Sequence, residues 1–307
     1  MGNRRHLVSL SDVDDQELAE LVRRGVAFAN GSRTGKPLAD KVLGVYFRKT
    51  STRTRTAFST AALRLGAGLI SYGPADLQLN TGETVEDTGK VLSRMLDGLV
   101  LRTAGPTEEL RELAGQESMS VVNAMSAHEH PTQALADLTT LSRHFGRIDG
   151  LRVLYVGEGN STAVALALAL PRFAGTQLHL RTPEGYGLDP EVLVAAKSYA
   201  ARSGGMIDEK HHMSDLPIVS DVVYTTRWQT TGSAKPDPDW RQGFEPFQVN
   251  AHVMATSPRA VFMHDLPAHR GEEVTAEVLD GPRSIAFDQA ENKLHSAMAV
   301  LEWCVRG

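Results

Sequence analysis

Apolar residues in the first third of the chain alternate between helical spacing and short unbroken runs. Leu18, Leu21, Val22 and Val26 recur at the interval of an amphipathic helix, with Ser11-Asp12 as its expected cap. Residues 42–47 form an apolar run of strand length, and a helix should open at Ser51-Thr52, pass through Phe58 and Leu63, and stop near Gly66 to Gly68. The same alternation predicts a strand over 69–72, a helix over 84–96, strands over 98–102 and 121–124, and a long helix over 131–145. After Gly146 to Gly150 the pattern restarts. A strand over 151–156 meets Gly157-Glu158-Gly159, followed by an apolar helix from Thr162, a strand over 177–180, a helix over 190–203, and strands over 222–225 and 260–263. A terminal helix over 287–305 places Leu294, Met298, Leu301 and Val305 on one face, and residues 235–241, with two Pro and two Trp nearby, read as a loop. Strands alternating with helices predict an α/β protein built from doubly wound parallel sheets.

Composition narrows the class. At roughly 150 residues per domain, 307 residues make about two domains. Lys plus Arg number 32 against 37 Asp plus Glu, a net charge of −5, so no global cationic field favours nucleic acid. The single cysteine, Cys304, cannot form an internal disulfide and reads as core filling, which makes the cytoplasm the default location. The apolar run 163–170 ends at Pro171, short of the roughly 20 residues that span a bilayer. Arg4 and Arg5 are not followed by the apolar core of a signal peptide, and His6 stands where a myristoylation motif needs Ser or Thr. A soluble protein with no membrane or nucleic-acid partner is expected.

Three segments carry candidate chemistry. Ser51-Thr52-Arg53-Thr54-Arg55, between a predicted strand and a helix start, brings N–H groups, hydroxyls and guanidinium towards one point, as an anion site requires; a capped surface helix with solvated arginines is the alternative. His128-Glu129-His130-Pro131-Thr132-Gln133 sets two imidazoles two residues apart, yet no third metal ligand is evident, and hydrogen bonding by His130 and Gln133 fits better. Gly157-Glu158-Gly159-Asn160-Ser161-Thr162 is a weak dinucleotide signature because Thr162 replaces its third glycine. His211-His212 beside Glu209 and Lys210 reads as solvated surface.

Taken together, Phe47 through Arg55, His130 to Gln133, the run Met263-His264-Asp265-Leu266-Pro267 with Ala268-His269-Arg270-Gly271, and Asp288-Gln289-Ala290-Glu291-Asn292 resemble the aspartate and ornithine carbamoyltransferase family almost end to end, and its ornithine branch most. The resemblance implies that Ser51, Thr52, Arg53 and Thr54 hold the phosphate of carbamoyl phosphate and that Arg102 bridges phosphate and carbonyl. It gives His130 a hydrogen bond to the carbonyl oxygen, and makes Gln133 and the backbone carbonyl of Leu266 hold the carbamoyl NH2. Thr54, Arg102, His130 and Gln133 are then the catalytic set, with no metal and no organic cofactor. The implied architecture is a carbamoyl phosphate domain over 1–145, rejoined by the terminal helix over 289–307, and an amine domain over 146–288. A homotrimer is implied too, with Gln78 to Glu83 near a neighbour's phosphate site.

The departures fall on the amine side. Ornithine enzymes grip the α-amino and α-carboxylate groups with an Asn and an Asp-x-x-x-Ser-Met-Gly segment. Here Ser161 follows Asn160 at that Asn position, and Thr226, Thr230 and Thr231 replace the Asp, Ser and Met. Asp265 replaces the loop cysteine, and Lys293 replaces the Arg of the terminal helix. An ammonium thereby loses its carboxylate, a change worth several kcal/mol, while Asp265 is free to meet an ammonium or Lys293, and Arg227 an acidic substrate group. Carbamoyl transfer to an amine other than ornithine is the expected function, an ornithine enzyme with a rebuilt pocket the alternative.

Overall fold

The computed structural model describes residues 4–217, 219–230 and 234–306; Thr231 lies outside them. The chain divides into two compact units, the first running through Thr139 and taking back the chain from Glu291, the second spanning Thr140–Ala290.

The first unit contains α1 (Asp15–Ala29), β1 (Val42–Phe47), α2 (Thr52–Arg64), β2 (Gly68–Tyr72), α3 (Val85–Leu92), β3 (Gly98–Arg102), α4 (Thr107–Ala114), β4 (Ser120–Asn123) and the start of α5 (Pro131–Phe145). Its four strands are all parallel in the order β2-β1-β3-β4. Tyr46, Leu99, Leu101 and Val121 bury one sheet face against Leu110 and Leu113 of α4. The second unit contains β5 (Arg152–Val156), α6 (Ser161–Ala169), β6 (Gln177–Arg181), α7 (Pro190–Ser203), β7 (Met206–Lys210), β8 (Val222–Thr225), α8 (Trp240–Phe244), α9 (Ala251–Ala255), β9 (Val261–His264) and α10 (Ala276–Leu279). Its five strands are also parallel, in the order β7-β6-β5-β8-β9. The chain then enters α11 (Ala286–Arg306) and rejoins the first unit, where Ser120 donates to the Cys304 carbonyl at 2.8 Å and Glu302 accepts from Arg33 at 2.5 Å. Two doubly wound parallel sheets with a returning terminal helix are thus the architecture.

Local chemistry explains where elements differ from the expected ones. Asp14, not Ser11-Asp12, caps α1, because Asp14 and Glu17 form a reciprocal capping box; Ser11 and Asp12 lie in a preceding 3-10 turn. The helix expected over 84–96 ends at Leu92. Helix α4 and strand β7 escape the periodicity reading. β7 is an edge strand, paired with β6 alone and burying only Ile207 among polar neighbours, so it lacks the apolar run that marks an interior strand. Among the described residues no helix is long and apolar enough to cross a membrane.

Candidate functional site

In the first unit β1 and β3 lie side by side while their neighbours β2 and β4 lie to opposite flanks. Ligands of open parallel sheets bind beyond the carboxyl ends of strands at such a reversal. Phe47 and Arg102 are register partners there, so the loop leading to Ser51 and the Arg102 side chain leave adjacent strand ends. Ser51 caps α2 in extended backbone, but its hydroxyl makes no capping bond, and the helix start presents N–H donors of the kind that anions favour. Thr54 is buried in the first turn. Arg55 turns away, donating to Ser71 Oγ at 2.7 Å and lying over the Phe47 ring.

Arg102, His130, Gln133 and Lys293 are each at most 8% exposed. Arg102 Nη1 stands 3.5 Å from His130 Nε2, and Thr132 Oγ1 lies 3.3 Å from His130 Nδ1. Burial, then the charges of Arg102 and Lys293, hold the imidazole well below the ordinary histidine range, so at neutral pH it is uncharged and offers one N–H. Gln133 Nε2 donates to Asp137 Oδ1 at 2.7 Å, and its Oε1 accepts from the Lys293 ammonium. A carboxylate on one side and an ammonium on the other fix which end of the amide is oxygen. His128 is exposed whereas His130 is buried, so the two imidazoles occupy different environments. The Gln78 to Glu83 segment is a mostly exposed turn.

The loop that carries His130 is fastened from below. Thr103 N–H and Ala104 N–H donate to Met125 O, Met125 N–H donates to Asn123 Oδ1, and Ser126 and Glu129 exchange hydrogen bonds. Glu129 is buried beneath this loop and accepts from Leu10 N–H at 2.8 Å. Burial pushes its carboxyl from 4.5 up to about 7. Between those values the folded state binds more protons than the unfolded chain, so stability falls as pH rises through that window, by about 3 kcal/mol in all. Urea unfolding at pH 5 and pH 8 should show this slope in the natural chain, and Glu129→Gln, which keeps an oxygen for Leu10 N–H, should flatten it.

In the second unit the corresponding reversal lies between β5 and β8. The turn after β5 depends on glycine for packing: Gly157 has φ +133°, and a Cβ on Gly159 would meet the Gly187 backbone at 2.4 Å. Asn160 caps α6 through Oδ1, and its Nδ2 donates to Thr226 Oγ1 at 3.0 Å. Tyr155 donates its proton to Glu158 O at 2.7 Å, so the Thr226 hydroxyl, 2.9 Å away, donates to the Tyr155 oxygen. Thr226 is 1% exposed and sits in a neutral network where the ornithine pattern has a carboxylate. Ser161 is buried in the first turn of α6. Asp265 Oδ2 accepts from Thr162 Oγ1 at 3.0 Å. Among the described residues Arg227 Nε is buried without a hydrogen-bond partner, and Thr230 lies beside Glu158.

Periodicity and motif spacing missed several contributors. Lys235 lies within the loop of unusual composition, and its ammonium pairs with Glu158 while standing 4.3 Å from the Tyr186 ring centroid, 4.7 Å from Phe244 and 5.2 Å from Trp240. The density of Trp, Lys and Pro was the available signal. Asp137 follows Gln133 at the i,i+4 spacing that shares a helix face. His211 and His212 are exposed, as expected of a solvated surface, and His211 Nδ1 lies 3.1 Å from Thr182 Oγ1. Among the described residues one trio has metal-ligand spacing, His269, Glu272 and Glu273, and it includes neither His128 nor His130.

All-parallel sheets whose buried polar groups gather at the strand ends around a switch point define a doubly wound α/β protein of the ligand-binding kind. Two family profiles divide the chain: "Aspartate/ornithine carbamoyltransferase, carbamoyl-P binding domain" matches residues 5–143, and "Aspartate/ornithine carbamoyltransferase, Asp/Orn binding domain" matches residues 149–304. The chain belongs to the aspartate/ornithine carbamoyltransferase family, and it is a carbamoyltransferase. It is 40% identical over 299 residues to an ornithine carbamoyltransferase of Gloeobacter violaceus, covering 97% of this chain and 95% of that protein. It is 39% identical over 307 residues to the anabolic ornithine carbamoyltransferase of Pyrococcus furiosus, covering 99% and 97% respectively. The solved structure of ornithine carbamoyltransferase from Pyrococcus furiosus superposes with a TM-score of 0.91 at 38% identity, over 99% of this chain and 98% of that one.

Proposed function

We propose that the protein moves the carbamoyl group of carbamoyl phosphate to the amine of a small amino acid-like acceptor and releases phosphate. The observation that carries this reading is the buried cluster of Arg102, His130, Gln133 and Lys293, with Arg102 at the end of the strand next to the one that leads to the Ser51 to Thr54 helix start. A dianionic leaving group and a polarised carbonyl call for fixed cations and neutral donors, and preorganised donors in a dry site stabilise developing charge most. Ser51, Thr52, Arg53 and Thr54 hold the phosphate, and Arg102 spans phosphate and carbonyl. His130, uncharged, donates to the carbonyl oxygen, while Gln133 Oε1 and the Leu266 carbonyl accept from the carbamoyl NH2. Lys293, as an ammonium, supplies charge without the planar two-point hold of an arginine. On this reading residues 1–145 with 289–307 bind carbamoyl phosphate, residues 146–288 bind the acceptor, and the chain assembles as a homotrimer in the cytoplasm. The acceptor must react as a free amine. For a lysine-like group this costs roughly 4 to 5 kcal/mol at pH 7.

Ornithine is the acceptor favoured by the names of the relatives, and with it the product is citrulline. A second reading, an acceptor other than ornithine, rests on Thr226: its hydroxyl is engaged by Tyr155 and Asn160 and supplies no charge for an α-ammonium. Asn160, Ser161, Thr226, Arg227, Thr230 and Asp265 line the acceptor site in either case. Product analysis with carbamoyl phosphate and a panel of amines separates the two. Citrulline formed at an ordinary kcat/KM establishes ornithine, whereas a ureido product from another amine, at least about a hundredfold faster, establishes the second reading.

A further inference from the structure

Leu266 takes φ +53°, a left-handed backbone conformation that a branched side chain adopts only when its surroundings hold it there. The holding group is His264, at the end of β9. Leu266 N–H donates to His264 Nδ1 at 2.8 Å, and His264 Nε2 faces Glu273 Oε1 at 3.0 Å. Both His264 and Glu273 are 0% exposed. The same Glu273 oxygen accepts from His269 N–H at 2.6 Å, and His264 N–H donates to Gln289 Oε1 at 2.9 Å, so both ends of the device are anchored. Because Nδ1 accepts, the ring proton resides on Nε2, and Glu273 is the group that selects this tautomer. Asp265 Oδ1 lies 3.5 Å from Nδ1, farther than the Leu266 N–H donor.

We propose that His264 and Glu273 are positioning residues for the transfer reaction: His264 fixes the direction of the Leu266 carbonyl through the Leu266 N–H, and Glu273 fixes the tautomer that makes this bond. The inference rests on the reading that the Leu266 carbonyl holds the carbamoyl NH2. A histidine that only filled the core would be replaced with similar effect by either amide. The two amides separate the roles, since Asn offers an oxygen near the Nδ1 position and Gln offers an N–H near the Nε2 position.

In the full-length enzyme His264→Gln should lower kcat about a hundredfold, and His264→Asn should stay within about tenfold of the natural chain. Both should keep their affinity for inorganic phosphate within about twofold, because the phosphate donors are untouched. Glu273→Gln, which retains an acceptor oxygen, should resemble His264→Asn, and Glu273→Leu should resemble His264→Gln. Crystal structures of the two His264 variants should show Leu266 at positive φ with Asn and relaxed with Gln. Equal losses of kcat in the two variants, or Leu266 unmoved in both, overturn the proposal, as does a relaxed Leu266 with unchanged kcat. Absence of phosphate release from the natural chain with every amine overturns the transfer reading instead, and the Leu266 backbone then still decides the positioning.

Discussion

Arg102→Ala should lower kcat/KM for carbamoyl transfer by about 10³-fold or more while the protein remains folded. The guanidinium is buried at the end of β3 with Nη1 3.5 Å from His130. On the proposed reading it meets both the phosphate and the carbonyl, so its removal takes away charge where the leaving group forms and where the carbonyl is polarised. Removing one donor to a developing oxyanion commonly costs about 10²- to 10³-fold, and this group serves two centres. Folding should suffer little, because a buried cation is expensive to desolvate and alanine relieves that term. The imidazole of His130 should also move back towards its ordinary range once the neighbouring charge is gone. Steady-state phosphate release with circular dichroism as the folding control checks both halves. A kcat/KM within tenfold of the natural chain would exclude the role given to Arg102.

The second large effect concerns the acceptor. On the second reading, in which ornithine is not the natural acceptor, Thr226→Asp combined with Ser161→Asn should raise kcat/KM for ornithine by about a hundredfold, since an ammonium then meets a carboxylate in a site that is only 1% exposed at position 226. Without substrate the new carboxylate is buried beside Tyr155 and Asn160, so the double variant should also lose about 2 kcal/mol of stability. Ornithine kinetics and urea unfolding of the same preparation read the two effects. No gain in ornithine use, with folding intact, would mean that the neutral Thr226 network does not govern the acceptor.

The parallel strands of both sheets were legible because interior strands are continuous apolar runs, and β1, β3 and β8 have the bounds the sequence predicts. Strand β7 was not, since it buries only Ile207 among polar and charged neighbours, whereas β4 and β9, also at sheet edges, are mostly buried with apolar centres. Gly157 to Thr162 looks like a nucleotide turn in sequence, yet its second glycine answers a steric demand from Gly187. The arginine and histidine at the strand ends could be found from motif and position. Asp137, Glu273 and Lys235 could not, because each acts through a partner brought close by folding: Gln133, His264 and Glu158. Likewise Thr226 marks a departure from the ornithine pattern in sequence, but only the hydrogen bonds to Tyr155 and Asn160 reveal that its hydroxyl is already occupied.

Calorimetric titration with carbamoyl phosphate, run on the natural chain and on Arg53→Ala, tests the phosphate-binding half of the site most directly. One saturable site per chain is expected, and Arg53→Ala should abolish it; an unchanged affinity in the variant would contradict a phosphate site built on Arg53.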